Sequence, residues 1–236
     1  MSAGFQCKKF YVAHDQCAMK VGTDGLLLGA WAPLPDTGTA ILDIGAGSGL
    51  ISLMLAQRTA GASPIDAIEL DPAACTQATT NVANSPWPHA VTLIKGDILT
   101  YHSAKRYSLI VSNPPFFQQS LASVNPQRQQ ARHTDSLPFA ALAEKAASLL
   151  KPDGTLALVL PSLAAEQFIT LAAQYGLYLA RRCDVKTSVK KAPLRALLAF
   201  SAVNGLAEHS ELVIHATEPG YSRQYRQLLQ AFYLKF

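Results

Sequence analysis

The sequence predicts an α/β protein built on one mostly parallel, doubly wound sheet of seven strands, with helices on both faces. Three observations carry this. Short apolar runs alternate with helical stretches from residue 40 onward, as they do where helices form the crossovers of a parallel sheet. A glycine-rich turn, Gly45-Ala46-Gly47-Ser48-Gly49, joins the first of those runs to a helix. Polar side chains recur at the ends of successive runs (Asp43, Glu69, Asp97 and Asn113), where the strands of such a sheet open onto a crevice.

The elements follow in order. Residues 40–44 read as a strand, the glycine turn follows, and a helix covers about 50–57. A second strand occupies 64–70, after which Asp71 caps a helix that has Pro72 at its first position. The third strand, 90–94, precedes Gly96-Asp97. The fourth, 107–112, is apolar and β-branched and is halted by Pro114-Pro115. A helix over 138–150 ends at the turn Lys151-Pro152-Asp153-Gly154 before a strand at 155–160. A helix over 163–175 and β segments at 194–202 and 212–215 complete the core.

With 236 residues, 49% of them hydrophobic and 15% charged, the chain is long enough for one well-buried core and too apolar for disorder. Residues 1–236 are expected to form a single domain. Cys7, Cys17, Cys75 and Cys183 lie far apart, without CxxC pairs or nearby histidines at ligand spacing, which favours reduced thiols and no metal site. The first ten residues are polar and basic, and no stretch approaches the ~20 apolar residues of a membrane helix. A cytoplasmic protein without membrane association is expected.

Charge is unevenly placed: residues 1–180 carry 11 basic and 12 acidic side chains, whereas 181–236 carry 9 and 4. That basic quarter suits a polyanion-binding flank. Within it Arg181, Arg182, Lys186, Lys190, Lys191 and Arg195 are candidates for phosphate contacts.

Asn113-Pro114-Pro115-Phe116 carries the chemistry. Two adjacent prolines fix φ and remove two N–H donors, so the loop presents carbonyls without competing amides. The Asn113 side-chain oxygen and the Pro114 carbonyl can together accept both hydrogens of one planar NH2 group, and Phe116 offers a face for a flat ring. The glycine turn reads G-x-G-x-G, one residue shorter than the dinucleotide fingerprint, which suits a cofactor without a pyrophosphate. Glu69, about 20 residues on, stands where an acid binding ribose hydroxyls belongs, and Asp97 is placed to accept from an adenine amino group.

Taken together, these residues resemble the class I S-adenosylmethionine-dependent methyltransferases, whose domain is Rossmann-like, and more narrowly the bacterial tRNA (adenine-N6)-methyltransferases that modify valine tRNA beside the anticodon. The resemblance runs through nearly the whole chain: Phe10-Tyr11-Val12, the stretch from Met19 through Lys20, Thr23 and Asp24 to Gly25, Leu28 to Trp31, the glycine turn, Asn113 to Phe116, Ala131-Arg132-His133 and the aromatic, basic stretch after Tyr221. It implies S-adenosyl-L-methionine as cofactor, held by Lys20, Thr23, Asp24, Asp43, Gly45, Gly47, Gly49, Glu69, Asp97 and Asn113. Residues 1–38 would close over it. Asn113, Pro114, Pro115 and Phe116 would form the catalytic loop, with Arg132, His133, Lys190 and Arg195 reaching the substrate. The implied substrate is the anticodon loop of a tRNA, methylated at N6 of adenine 37 by a monomeric enzyme.

The same loop chemistry serves a release-factor glutamine amide or guanine N2 in ribosomal RNA, and Asn113 does not separate these from adenine. An oxidoreductase is disfavoured by the short glycine spacing. An RNA-binding module without catalysis is disfavoured by the intact Asn113 loop.

Overall fold

The computed structural model describes residues 3–115, 137–216 and 220–235. The expectations for Phe116, Arg132 and His133 lie outside the described residues.

The chain begins with a two-stranded antiparallel ribbon, β1 (Gly4–Gln6) and β2 (Tyr11–Ala13), and helix α1 (Thr23–Trp31). The alternating body follows: β3 (Ile41–Ile44), α2 (Leu50–Arg58), β4 (Ile65–Glu69), α3 (Pro72–Ala83), β5 (Val91–Lys95) and β6 (Tyr107–Ser112). Beyond residue 136 come α4 (Phe139–Leu149), β7 (Leu150–Pro161), α5 (Ser162–Ala173), β8 (Tyr178–Ser188), β9 (Arg195–Ser201), β10 (Glu208–His215) and α6 (Arg223–Leu229).

The main sheet has eight strands in the order β10-β8-β9-β7-β6-β3-β4-β5. All neighbours are parallel except β9, which runs against both β7 and β8. The seven expected strands thus become eight. The added one is β8, whose sequence Tyr178–Ser188 is rich in Arg and Lys and reads as a basic flank. It sits between β9 and β10 with only Cys183 and Val185 buried, so its long polar side chains remain partly in solvent. The turn expected at 151–154 is absorbed into the start of β7, where the pairing steps from Tyr107↔Leu150 to Leu109↔Thr155. A Cβ on Gly154 would meet the Tyr107 carbonyl at 2.8 Å, so glycine is what permits this close backbone approach.

Alternate side chains of the strands feed two cores. Ile41, Leu109, Val111, Val159 and Leu197 face α1, α2 and α6, whereas Leu42, Ile44, Ile110, Leu158 and Leu198 face α4 and α5. Each such fully buried aliphatic side chain contributes about 1.5–3 kcal/mol by leaving water. Helix α1 is buried along Gly25–Ala30, which explains why its sequence is apolar all round. Its last carbonyls, Gly29 and Ala32, accept from the half-buried Arg58 guanidinium at 2.9 and 2.8 Å.

At the amino edge of the sheet, the buried Asp66 carboxylate accepts from the Tyr107 hydroxyl at 2.8 Å and the Lys105 ammonium at 2.9 Å. The two ends of the described chain meet through Lys8 N–H donating to the Phe232 carbonyl at 2.8 Å. Among the described residues no helix is long and apolar enough to cross a membrane.

Candidate active site

Strands β6, β3, β4 and β5 lie side by side and point the same way, so their carboxyl ends share one rim. In register, Ile44 faces Ser112 on one side and Ile68 on the other, and Glu69 faces Lys95. Asn113, Gly45, Glu69 and Asp97 therefore follow one another across about 14 Å, three spacings of about 4.8 Å.

Gly45, Gly47 and Gly49 have φ of +73°, +55° and +79°, a left-handed backbone that only glycine adopts without cost. The space where Cβ atoms would stand on Gly45 and Gly47 is open to 4 Å. The turn is fixed from behind, because Gly45 and Ala46 both donate N–H to the Ile68 carbonyl, at 2.9 and 3.0 Å. Glu69 braces its front: Oε2 accepts from Gly47 N–H at 2.6 Å and Oε1 from Asp71 N–H at 2.9 Å. Each oxygen retains a further lone pair for a hydroxyl donor.

Asp43 is fully buried between β3 and α2. Its Oδ2 accepts from Ser52 Oγ at 2.6 Å, and Oδ1 has no hydrogen-bond partner among the described residues. Burial pushes the carboxyl up to about 6; the Ser52 bond opposes that rise and the Glu69 charge adds to it. A buried carboxylate oxygen left without a donor is a place where a ligand's N–H group fits. Asp97 turns the chain after β5, its Oδ1 accepting from Leu99 N–H at 2.9 Å. Leu70 and Leu99, beside Glu69 and Asp97, expose 58% and 41% of their surface.

On the other side of the turn, Ser112 Oγ donates to the Ile44 carbonyl at 2.8 Å and pins the end of β6 to β3. Asn113 follows half-buried, with Pro114 buried and Pro115 half-buried. Of the residues expected to close over a cofactor, Lys20 and Thr23 are exposed, and Asp24 is ion-paired to Arg195 at 2.8 Å.

Two side chains that sequence reasoning missed hold that segment down. Asn81 on α3, buried, donates through Nδ2 to the carbonyls of Ala13 (2.8 Å) and Ser48 (2.9 Å) and accepts from Ala13 N–H at 3.0 Å. Gln77, one turn earlier, accepts from Gln16 N–H at 3.1 Å and donates to Asp15 at 2.6 Å. The available signal was weak: two amides four residues apart on an otherwise small-residue helix, one face of which must be buried.

Of the six basic residues expected to contact phosphates, four are paired with carboxylates, Arg195 among them. Arg181 pairs with Glu208 and lies 4.9 Å over the Trp31 ring, Arg182 bonds Glu166 and Asp184, and Lys186 bonds Glu211. Lys190 and Lys191 are exposed and have no ion-pair partner among the described residues. No group of three potential metal ligands occurs among the described residues.

Residues 21–178 match the methyltransferase small domain family. A curated tRNA1(Val) (adenine(37)-N6)-methyltransferase of Salmonella enteritidis is 48% identical over 98% of this chain and 95% of its own length. The chain belongs to the tRNA1(Val) (adenine(37)-N6)-methyltransferase family. Solved methyltransferases share its fold at low identity. A predicted O-methyltransferase from Agrobacterium tumefaciens superposes with a TM-score of 0.70 at 16% identity, covering 89% of this chain and 96% of its own. A glycopeptide N-methyltransferase complexed with S-adenosyl-L-methionine gives 0.57 at 14% identity, covering 78% and 89%. Within the methyltransferase the family match spans the glycine turn, Glu69, Asp97 and Asn113; β9, β10 and α6 lie beyond it.

Proposed function

We propose that this methyltransferase transfers a methyl group from S-adenosyl-L-methionine to N6 of an adenine in tRNA, adenine 37 beside the anticodon of valine tRNA being the target named for its relatives. The observation that carries the reading is the ordered rim: three polar anchors on β3, β4 and β5 and an acceptor pair at the end of β6, all at one edge of one sheet.

The residues present fit the cofactor. The open glycine turn admits a ligand close to the backbone, and the orphaned Asp43 Oδ1 suits a cationic amino group. Glu69 has lone pairs left for two ribose hydroxyls, Asp97 accepts from an exocyclic amine, and Leu70 and Leu99 supply apolar cover for a flat ring. Gly47, Gly49, Lys20, Thr23 and Asp24 would complete the cofactor's surroundings, as the family resemblance implies. When bound, the cofactor supplies a methyl group made electrophilic by its sulfonium sulfur.

The protein's own part is to make N6 reactive. The N6 lone pair is delocalised into the ring, so the free amine is a poor nucleophile. Asn113 Oδ1 and the Pro114 carbonyl hold its two hydrogens and favour pyramidal nitrogen. They also stabilise the positive charge that grows there during transfer. Pro115 keeps the loop rigid, and the aromatic residue that follows would stack on the base, as the family resemblance implies. Holding nitrogen in line with the methyl removes much of the entropic barrier. The base must first leave its stack, which costs a few kcal/mol and least in a single-stranded loop. Arg132, His133 and Lys190 would steady the RNA, while Arg195 is already paired with Asp24. The enzyme is read as a cytoplasmic monomer, in keeping with its four free cysteines.

Asn113→Ala tests the reading. It should still bind cofactor, with at most a small loss of affinity, and lose methylation of an unmodified tRNA transcript by about two to three orders of magnitude. Undiminished turnover by this variant would refute the assignment. Labelled methyl appearing on a release factor and not on tRNA would transfer the same mechanism to a glutamine amide.

A further inference from the structure

The rim of the sheet is divided at its centre. On the β3-β4-β5 side it carries acids; on the β7-β9-β8-β10 side it carries cations and rings. Strands β8 and β10 run parallel to β7, and their last residues, Ser188 and His215, are register partners. Both therefore emerge on the same edge as Asn113. β9 begins on that edge, Arg195 facing Pro161 at the end of β7. The hairpin 189–194 between β8 and β9 consequently stands on the rim. It is closed by Lys191 N–H to the Ser188 carbonyl at 3.0 Å and Leu194 N–H to Val185 at 2.9 Å, and Ser162 N–H donates to Leu194 at 3.2 Å.

The hairpin Val189-Lys190-Lys191-Ala192-Pro193-Leu194 carries two unneutralised cations and no acid. Its neighbours Arg195 and Lys186 are already paired with carboxylates. One strand further out, the exposed His215 ring stacks on Tyr221 at 5.3 Å and 19°, and Tyr221 stacks on the buried Tyr225 at 4.9 Å and 24°. This ladder of rings is anchored in the core and ends in an imidazole at the surface. Leu163, just after β7, and Val189 and Leu194 at the two ends of the hairpin are exposed.

We propose that this half of the rim is a docking surface for single-stranded RNA. Lys190 and Lys191 contact phosphates flanking the acceptor base, and His215 stacks on a base further along. The proposal rests on the RNA-methylating function above and adds a direction to it: the strand leaves Asn113 across β7, β9 and β8 toward β10, four spacings or about 19 Å, and not across the cofactor side. RNA is the occupant because cations without acids beside stacked rings are the means by which proteins hold unpaired nucleotides.

The test is binding of an unmodified anticodon stem–loop transcript, followed by fluorescence anisotropy over a salt series, with cofactor affinity measured alongside. K190E/K191E should weaken RNA binding about tenfold or more and lower the slope of log affinity against log salt by about two. Its cofactor affinity should equal that of the parent. H215A should weaken RNA binding several-fold with the slope unchanged, because stacking releases no counterions. R106E, on the amino edge of the sheet, should change neither. If K190E/K191E does not fold, K190Q/K191Q serves, with a smaller change in the same direction.

Parental affinity and slope in the hairpin variants would overturn the proposal, as would an equal loss in R106E. If the parent methylates the transcript while the hairpin variants are unaffected, only the docking surface fails. If the parent neither binds nor methylates RNA, the functional reading fails and this inference with it.

Discussion

Asp43 shows what a single residue decides. Its carboxyl, raised from 3.8 to about 6 by burial, costs nothing below pH 4, where folded and unfolded chains are both protonated. Between about pH 4 and 6 the unfolded chain ionises while the folded protein keeps its proton, so up to about 3 kcal/mol of stability is lost across that window and no more above it. A cation beside Oδ1 reverses the balance. Affinity for S-adenosyl-L-methionine should therefore rise up to about tenfold per pH unit until pH 6 and then level, and Asp43→Asn should flatten the profile. Calorimetric titration between pH 4.5 and 8 checks this; a flat profile in the parent would show that Oδ1 meets no cation. Asp43, Glu69, Asp97 and Asn113 were legible in the sequence because each stands where an apolar run ends. Their partners were not. Nothing in the order of residues says that Glu69 braces Gly47, or that Arg195 spends its charge on Asp24, since both contacts arise from the packing of distant elements.

Among the elements, α3 has the least obvious part. Asn81 ties the ribbon strand β2 to the glycine turn through Ala13 and Ser48, so the helix acts as the backing on which the N-terminal segment rests. Asn81→Ala strands two carbonyls and one N–H, and should destabilise the fold by about 1–3 kcal/mol while raising the cofactor dissociation constant. Chemical denaturation and ligand titration read the two effects separately, and unchanged values in both would deny Asn81 this role. Helix α1 packs so closely on α2 that a Cβ on Gly29 would meet Met54 Sδ at 2.6 Å and Met54 Cβ at 3.0 Å. Gly29→Ala should cost about 1–3 kcal/mol through overpacking, seen as a lowered thermal midpoint. The alternating strands and helices from residue 40 to 112 were readable because their periodicity is strong and their turns carry Gly and Pro. β8 escaped because a strand wet on parts of both faces shows no clean apolar alternation, and the start of β7 because a bulge places turn residues inside a strand.

At the scale of the whole molecule, the strand order with its one antiparallel member could not be read from spacing alone. Crossover length does not state on which side of β7 the next strand will lie. We propose that residues 1–236 fold as a single domain, since Tyr225, Leu229 and Phe232 share one core with Cys7, Val12 and Leu26. Thermal unfolding should show one cooperative transition. Ending the chain after residue 206, which removes β10 and α6, should abolish that transition; a retained one would make the last thirty residues a separate appendage.

The bond between Lys8 and Phe232 has a consequence for how the protein is made. A ribosome delivers residues in order, so the turn between β1 and β2 emerges early and gains this partner only once residue 232 has left the exit tunnel. The N-terminal ribbon is thus seated against residue 232 late in synthesis.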